Sequence, residues 1–530
     1  MLSYHFFVFY YHFQLTISSF ISDVPPEVVL VSPHLRNPSS LSMIYVRTAL
    51  LLLWVSLSVQ AKDYPASFFG IYSDGATLNT RSIQYAVDYI HSSGGGRLVF
   101  YVGRYLTGSI HLKSNVTLHL EEGAVLLGSL NPFDYDRHVW TALVFGENQQ
   151  NIAITGKGVI DGQGRQLARN VVNVIQKGLV KDLFRYDRPE AEARAVILYF
   201  KGCQRVKLQT VTLRNSASWV QIYDQCRNVQ LAGITVDSKA YWNNDGIDIV
   251  DSDSVSVTDS YIDSSDDGIC LKSHEASQVC QNIYVRNCTI RSSANAIKFG
   301  TASYGGFRNI KMVQNKVYDT YRSAIALEAV DGGFVENVLI DSLQAINTGN
   351  AIFLRIGERV KGKKGRLENV RLTNIRVEVP ATKPDAGYEY EGPIEDMPRN
   401  VSPSSIVGMP DAFVKDVTLK NVEIIYAGGG TSMLANVPTT ALDKVPEKPT
   451  AYPDFSMFGE LPAWGFYVRH AQNIRFDNVK LTCLKSDYRP AVVLDDVKQS
   501  NLTPMLISDP NSKKQAIYSA HSSGLTLPGR

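Results

Sequence analysis

Apolar and polar residues alternate in short runs along most of the chain, and the runs recur. A polar residue precedes two β-branched or aliphatic residues separated by a polar one, as in Arg205-Val206-Lys207-Leu208, Asn228-Val229-Gln230-Leu231 and Ser254-Val255-Ser256-Val257. The mark returns at Asn282-Ile283, Asn309-Ile310, Asn337-Val338 and Asn369-Val370, so successive copies from Val206 lie 23, 26, 28, 27, 28 and 32 residues apart. Weaker copies begin at Asn115, Asn151, Asp416 and Asn473. A period of about 20–50 residues signals a solenoid, propeller or array. Here each period holds two or three short strands, such as Val229-Gln230-Leu231, Ile234-Thr235-Val236 and Ile247-Asp248-Ile249, with Gly, Asn, Asp and Ser between them and no amphipathic helix. A propeller blade needs about 40–50 residues. The pattern therefore predicts an all-β chain: a three-sided, right-handed parallel β-helix in which inward Val, Ile and Leu stack into one core. The recurrent asparagines fit turn positions, because Asn tolerates the left-handed conformation and bonds its own backbone.

Thr80–His91 has apolar residues at helical spacing, starts at a Thr cap candidate and ends before Gly94-Gly95-Gly96, which predicts a short capping helix at the open end of the solenoid. Pro- and Gly-rich stretches near 380–410 and 428–462 interrupt the period and read as long loops, the kind that shape a binding face. Ahead of the repeats, Met43–Ala61 has a basic start, the apolar run Ala49-Leu50-Leu51-Leu52-Leu53-Trp54-Val55 and a small-residue end. That is the pattern of a secretory signal peptide. It predicts export, extracellular or periplasmic, and a mature β-helix domain over 62–530. Residues 1–42 fit neither and read as an over-extended start or a leader. No other segment reads as a membrane span.

The chain has 530 residues, 53 basic and 51 acidic, a net charge of +2. This balance argues against a nucleic-acid partner. The six cysteines have no metal-binding spacing and read as small buried hydrophobes. Nothing in the pattern forces association, and a monomer is expected.

Candidate chemistry sits in two adjacent coils, Asn243-Asn244-Asp245-Gly246-Ile247-Asp248 and Asp266-Asp267-Gly268-Ile269-Cys270-Leu271-Lys272. Asp245 and Asp267 are 22 residues apart, about one coil, which stacks them at a strand spacing of about 4.8 Å. Three carboxylates so close push one pKa upward, as glycoside hydrolysis requires of its acid. Read on the residues alone, the cluster is also compatible with turn aspartates or a calcium site.

From about Tyr64 to Val497 the sequence resembles glycoside hydrolase family 28, the polygalacturonases. Ser73-Asp74-Gly75, Gly94-Gly95-Gly96 and Gly108-Ser109-Ile110-His111-Leu112 are similar to its entry region; Asn243-Asn244-Asp245 resembles its Asn-Thr-Asp motif and Asp266-Asp267 its Asp-Asp motif. The resemblance implies inverting hydrolysis of a pectin-type polysaccharide or oligosaccharide, with Asp266 as general acid, Asp245 and Asp267 activating water, and neither metal nor cofactor. Two departures stand out. Asn295 occupies the place of the family's Gly-His-Gly histidine, and Ala326 and Glu328 replace the Arg and Lys of Arg-Ile-Lys. An acidic Glu328 there would repel a uronate, which points to a displaced cation (Lys298, Arg322 or Arg355) or to a neutral sugar such as rhamnose. Asn243, Asn244, Lys272, Asn295, Lys298, Glu328 and Arg355 are the candidate substrate-binding residues. Trp219, Tyr223, Trp242 and Tyr304 are candidate sugar platforms, with Trp464 closing one end of the cleft. A β-helix lyase using Lys272 or Lys298 and a non-catalytic carbohydrate binder are the competing readings.

Overall fold

The computed structural model describes residues 62–181, 184–185, 188–385, 402–433, 437–511 and 515–528. The expected leader and signal peptide, residues 1–42 and 43–61, lie outside the described residues, as does 386–401 of the first expected loop.

The chain winds as a right-handed parallel β-helix. One coil runs Ile247–Val250, Asp253–Thr258 and Tyr261–Ser264, and the next starts at Ile269. Each of these strands pairs in parallel with its counterpart one coil on: Ile247 with Ile269, Val255 with Ile283, Ile262 with Ile290. The period-2 pattern settles which side chains enter. Val229, Val255, Ile283, Ile310, Val338 and Val370 stack as one buried row. The residue before each is the turn. Asn228, Ser254, Asn282, Asn309, Asn337 and Asn369 all have φ between 52° and 62°, where a branched side chain would be strained. Their amides also form a ladder, Asn309 donating to Asn282, Asn337 to Asn309 and Asn369 to Asn337 at 3.2, 3.3 and 2.6 Å.

Helix α1 (Thr80–Ser92) caps the N-terminal end as expected, burying Ile83, Ala86, Val87 and Ile90. Thr80 is its first residue rather than its cap; its hydroxyl accepts from the Gly108 amide at 2.7 Å. A second helix, α2 (Gly164–Gln176), interrupts the early coils and buries Leu167, Ala168 and Val171. The strand period hid it, because its apolar residues lie inside one insertion between regular coils. All six cysteines are buried free thiols, as expected.

Five strands carry one side of the solenoid past the carboxylate cluster: β1 (Ile247–Val250), β2 (Ile269–Ser273), β3 (Ile297–Ser303), β4 (Lys316–Ala329) and β5 (Gln344–Ile356). Within the 380–410 stretch, Ser404–Val407 rejoins this side beside β5, so that stretch is not wholly loop. The second expected loop, after the strand Val414–Gly428, folds over the outer surface. Its Leu442, Val445, Phe455, Met457, Phe458 and Leu461 form an apolar cluster with the outward-facing Ala326, Phe353, Val407, Tyr467 and Val493.

Ile283 is closed on both sides by the row. Ile283→Ala is expected to cost about 2–5 kcal/mol and lower the urea midpoint accordingly; an unchanged midpoint would show that a coil collapses around the gap.

Candidate active site

The in-register ladder builds the site. The Gly246 amide donates to the Asp267 carbonyl at 2.8 Å, and the Gly268 amide to the Asn295 carbonyl at 2.8 Å, so Asp245, Asp267 and Asn295 rise as one column on successive coils. The glycines are required by close approach. A Cβ on Gly246 would lie 2.6 Å from the Gly268 carbonyl, and one on Gly268 would lie 2.8 Å from that of Ala296. Asp266 stands beside the column, its carboxylate accepting from the Asp267 amide at 2.9 Å. Oxygens of Asp245, Asp266 and Asp267 lie within 4.8 Å of one another. They are 3%, 8% and 2% exposed.

A second column, β1 to β3, presents Asp248, Cys270 and Lys298 outward in register. Lys272, two residues past Cys270 on the same face, puts its ammonium 3.4 Å from Asp245 and 3.5 Å from Asp248. Trp219 lies over that ammonium at 4.4 Å. Lys298 reaches Asp267 at 3.0 Å and donates to the Tyr452 hydroxyl at 2.8 Å. Asn295 gives Asp267 two further hydrogen bonds, from its backbone N–H at 3.1 Å and its side-chain amide at 2.8 Å.

These environments separate the carboxyls. Burial and the neighbouring Asp266 and Asp248 push Asp245 well above the usual carboxylate range, against the pull of Lys272. Burial lifts Asp248 to about 7, with Lys272 opposing. Asp267 is as buried, yet Lys298, Lys272 and the Asn295 amide outweigh desolvation and hold it below its ordinary value. Both lysines stay protonated. For Lys272, Cys270 and the carboxylates Asp245, Asp248 and Asp267 outweigh the effect of burial; for Lys298, Asp267 leads. Four aspartates facing two ammonium groups leave an excess of negative charge in a dry site, and the cluster relieves it by retaining protons near neutral pH. Where the aspartates crowd, the Lys272 ammonium already supplies the positive charge.

The other expected residues divide. Lys272, Asn295 and Lys298 belong to the site. Glu328, 1% exposed, lies near Lys298 and Asp267, and burial raises it to about 8. At neutral pH it is uncharged, so the expected repulsion of a uronate does not arise from it. Asn244 is not a substrate ligand. Its amide is fully buried, accepting from Ser238 and the Ala240 amide and donating to the Ser216 and Ser218 carbonyls. Asn243 accepts from Arg194 at 2.9 Å and serves the same turn. Arg355 is not a displaced cation for substrate. Its guanidinium is spent on the carbonyls of Gly408, Glu447 and Lys448, which fastens the late loop. Arg322 pairs with Asp454 at 3.3 Å. Tyr223 and Trp242 pack in the core, as does Trp464, which meets Tyr426 edge-on instead of closing the cleft. Of the aromatic candidates, Trp219 stands at the cluster, with Trp140 against it at 4.5 Å, while Tyr304 is exposed, its amide donating to the Ser273 carbonyl.

Asp248 and Tyr452 were missed. Asp248 was legible in the strand alternation, as a charge on a fully buried strand. Tyr452 reaches Lys298 across 154 residues of sequence, and no local signal marks it.

Two outcomes follow from these contacts. Asp248 keeps its proton in the folded state up to about pH 7, whereas the unfolded chain releases it near pH 3.9. Its contribution is fully present below pH 4 and is lost as pH rises toward 7. Asp248→Asn should therefore flatten the decline of stability between pH 4 and 7, by up to about 1.4 kcal/mol per pH unit; parallel profiles in thermal melts would refute this. Arg355→Ala leaves three carbonyls without their charged donor and is expected to destabilise by about 3 kcal/mol or more, with proteolysis of the 437–463 loop as the local readout.

The description glycosyl hydrolases family 28 matches residues 102–292. A probable polygalacturonase of Vitis vinifera is 29% identical over 331 residues, 58% of this chain and 59% of that protein. The exo-poly-alpha-D-galacturonosidase of Dickeya chrysanthemi is 25% identical over 315 residues, 50% of this chain and 52% of that protein. The chain thus matches little more than half the length of these relatives. Among solved structures, the family 28 exopolygalacturonase of Yersinia enterocolitica superposes with a TM-score of 0.64 at 19% identity, over 89% of this chain and 79% of that one, and shares the fold. Asp245, Asp266 and Asp267 all lie within the matched residues, over which the chain is similar to glycosyl hydrolases family 28.

Proposed function

We propose that this chain hydrolyses glycosidic bonds in a pectin-type polysaccharide or oligosaccharide, related to galacturonan or rhamnogalacturonan, by a single displacement that inverts the anomeric centre. The observation that carries the reading is the convergence of Asp245, Asp266 and Asp267 within 4.8 Å, with Lys298 and Asn295 on Asp267 alone. Asp267, held as the anion, takes a proton from water as the water oxygen bonds the anomeric carbon. Asp245 shares that water. Asp266, the most exposed of the three, gives its proton to the departing glycosidic oxygen as the carbon–oxygen bond breaks. The cluster ends the turnover with the proton it began with, moved from one carboxyl to another. Paired carboxylates of inverting enzymes stand about 6.5–9.5 Å apart. The oxygens here come closer, so inversion is drawn from the family resemblance rather than from spacing.

Elimination is disfavoured by a specific observation: a lyase base must be neutral, and both Lys272 and Lys298 are held protonated by carboxylates. The protonated Glu328 leaves either a uronate or a neutral sugar acceptable beside it. The proposal includes export, with cleavage after Ala61, which N-terminal sequencing of the mature protein checks.

Incubation with pectic polymers and oligosaccharides should release reducing ends without ultraviolet absorbance, and Asp266→Asn should lower the rate by about 10²–10⁴-fold. Proton NMR of the first product should show the inverted anomer. Absorbance would establish elimination, the retained anomer would overturn the single displacement, and a fully active Asp266→Asn would remove Asp266 from the acid role.

A further inference from the structure

We infer that the site is a blind pocket whose C-terminal wall is the loop 437–463, and that hydrolysis proceeds from a chain end, with the ring of Tyr452 as the face against which a terminal sugar lies. This rests on the hydrolase reading.

The outward column that carries Asp248, Cys270 and Lys298 continues along the solenoid as Ala326 and Phe353. On an uncovered β-helix this column is the floor of a groove, along which a polymer runs past the catalytic coils in both directions. Here the floor beyond Lys298 turns apolar and is roofed by the loop's own apolar residues, Phe455 and Phe458 among them. The roof is fastened at several points. Arg469 donates to the Val445 carbonyl at 2.7 Å, Arg355 to those of Glu447 and Lys448, and the Glu358 amide to that of Pro449 at 2.8 Å. The loop then descends to the site, where Tyr452 meets Lys298 and Asp454 meets Arg322. A sugar chain cannot take this path without displacing a packed cluster.

On the other side, Trp140 packs with Phe145, Tyr199 and Ile222, and with it Trp219 rises beside Lys272. Among the described residues the acidic cluster is therefore flanked by an apolar wall on each side. Tyr452 lies at the junction of wall and site. Its hydroxyl is fixed by Lys298, yet the residue is 51% exposed. Lys298 and Arg359 stand over its ring at 5.1 and 5.7 Å from the centroid, and the exposed remainder of the ring is the kind of flat apolar surface on which a sugar lies.

The experiment pairs viscosity with reducing-end release on polygalacturonate and on rhamnogalacturonan polymer, with products sized from the first per cent of hydrolysis. Wild type is expected to release mono- or disaccharide with little fall in viscosity. Tyr452→Ala should raise KM for short oligosaccharides about tenfold, whereas Tyr452→Phe, which keeps the ring, should hold KM within about twofold while kcat falls through Lys298. A rapid viscosity loss with a ladder of intermediate products would overturn the inference and leave the hydrolase reading standing. So would an unchanged KM in Tyr452→Ala. No hydrolysis of any glycan by folded wild type would overturn both.

Discussion

The register between successive coils is the constraint on which everything else rests. Parallel pairing fixes each residue directly over the one a coil earlier, so a functional column is set by loop length alone. Asp245 lies over Asp267 because 22 residues separate them, a shorter interval than that between most coil marks. Gly246 and Gly268 allow that short path, since each faces a carbonyl of the next coil where no side chain fits. A one-residue change between the two motifs would turn a carboxylate from the outer face into the core. The asparagine turns serve the same end. They let the chain reverse curvature at a fixed point in every coil, and they bond their neighbours above and below.

Stacking also imposes a cost that the site converts into chemistry. A column of identical positions brings like charges together at strand spacing. Surface columns answer this with amides, and the core with aliphatic groups. At the site the answer is two ammonium groups placed asymmetrically. Lys298 and Asn295 serve Asp267; Lys272 is divided between Asp245 and Asp248. Asp267 is thereby held ionised while Asp245 and Asp248 are pushed toward the protonated form, so that carboxyls of one cluster hold different protonation states. The same balance bears on one departure from the family motifs, the histidine position. With Lys298 and Asn295 beside Asp267, the carboxylate has a cation and two hydrogen-bond donors in the absence of the histidine.

Periodicity carried the fold because the solenoid repeats one local solution. The inward rows, the turn asparagines, helix α1 and the stacking of Asp245 on Asp267 were all legible in spacing. What spacing could not show was which way a polar side chain turns once its strand is placed. Asn244 lies in a motif and Arg355 was a candidate cation, yet each is buried to satisfy backbone carbonyls that the turns and loop leave open. Such demands arise only when coils and loop are assembled. Glu328 shows the converse. Its identity was plain, but its charge depends on burial, which a sequence expresses only through the fold.

The late loop is the least repetitive part of the chain and the part that gives this solenoid an individual site. Regular coils supply a floor of fixed pitch to every member of such a fold, and that floor does not by itself distinguish one end of a sugar chain from its middle. Discrimination requires a feature that breaks the translation, and here it comes from a segment with no strand pattern, held by Arg355 and Arg469 and by apolar residues matched to the outer column. Tyr452 joins the two systems, with its hydroxyl on a catalytic-coil lysine and its ring on the loop. The loop's anchorage and the charge of Lys298 are thus physically coupled: a shift of the loop moves the hydroxyl, the hydroxyl moves the ammonium, and the ammonium sets the proton affinity of Asp267.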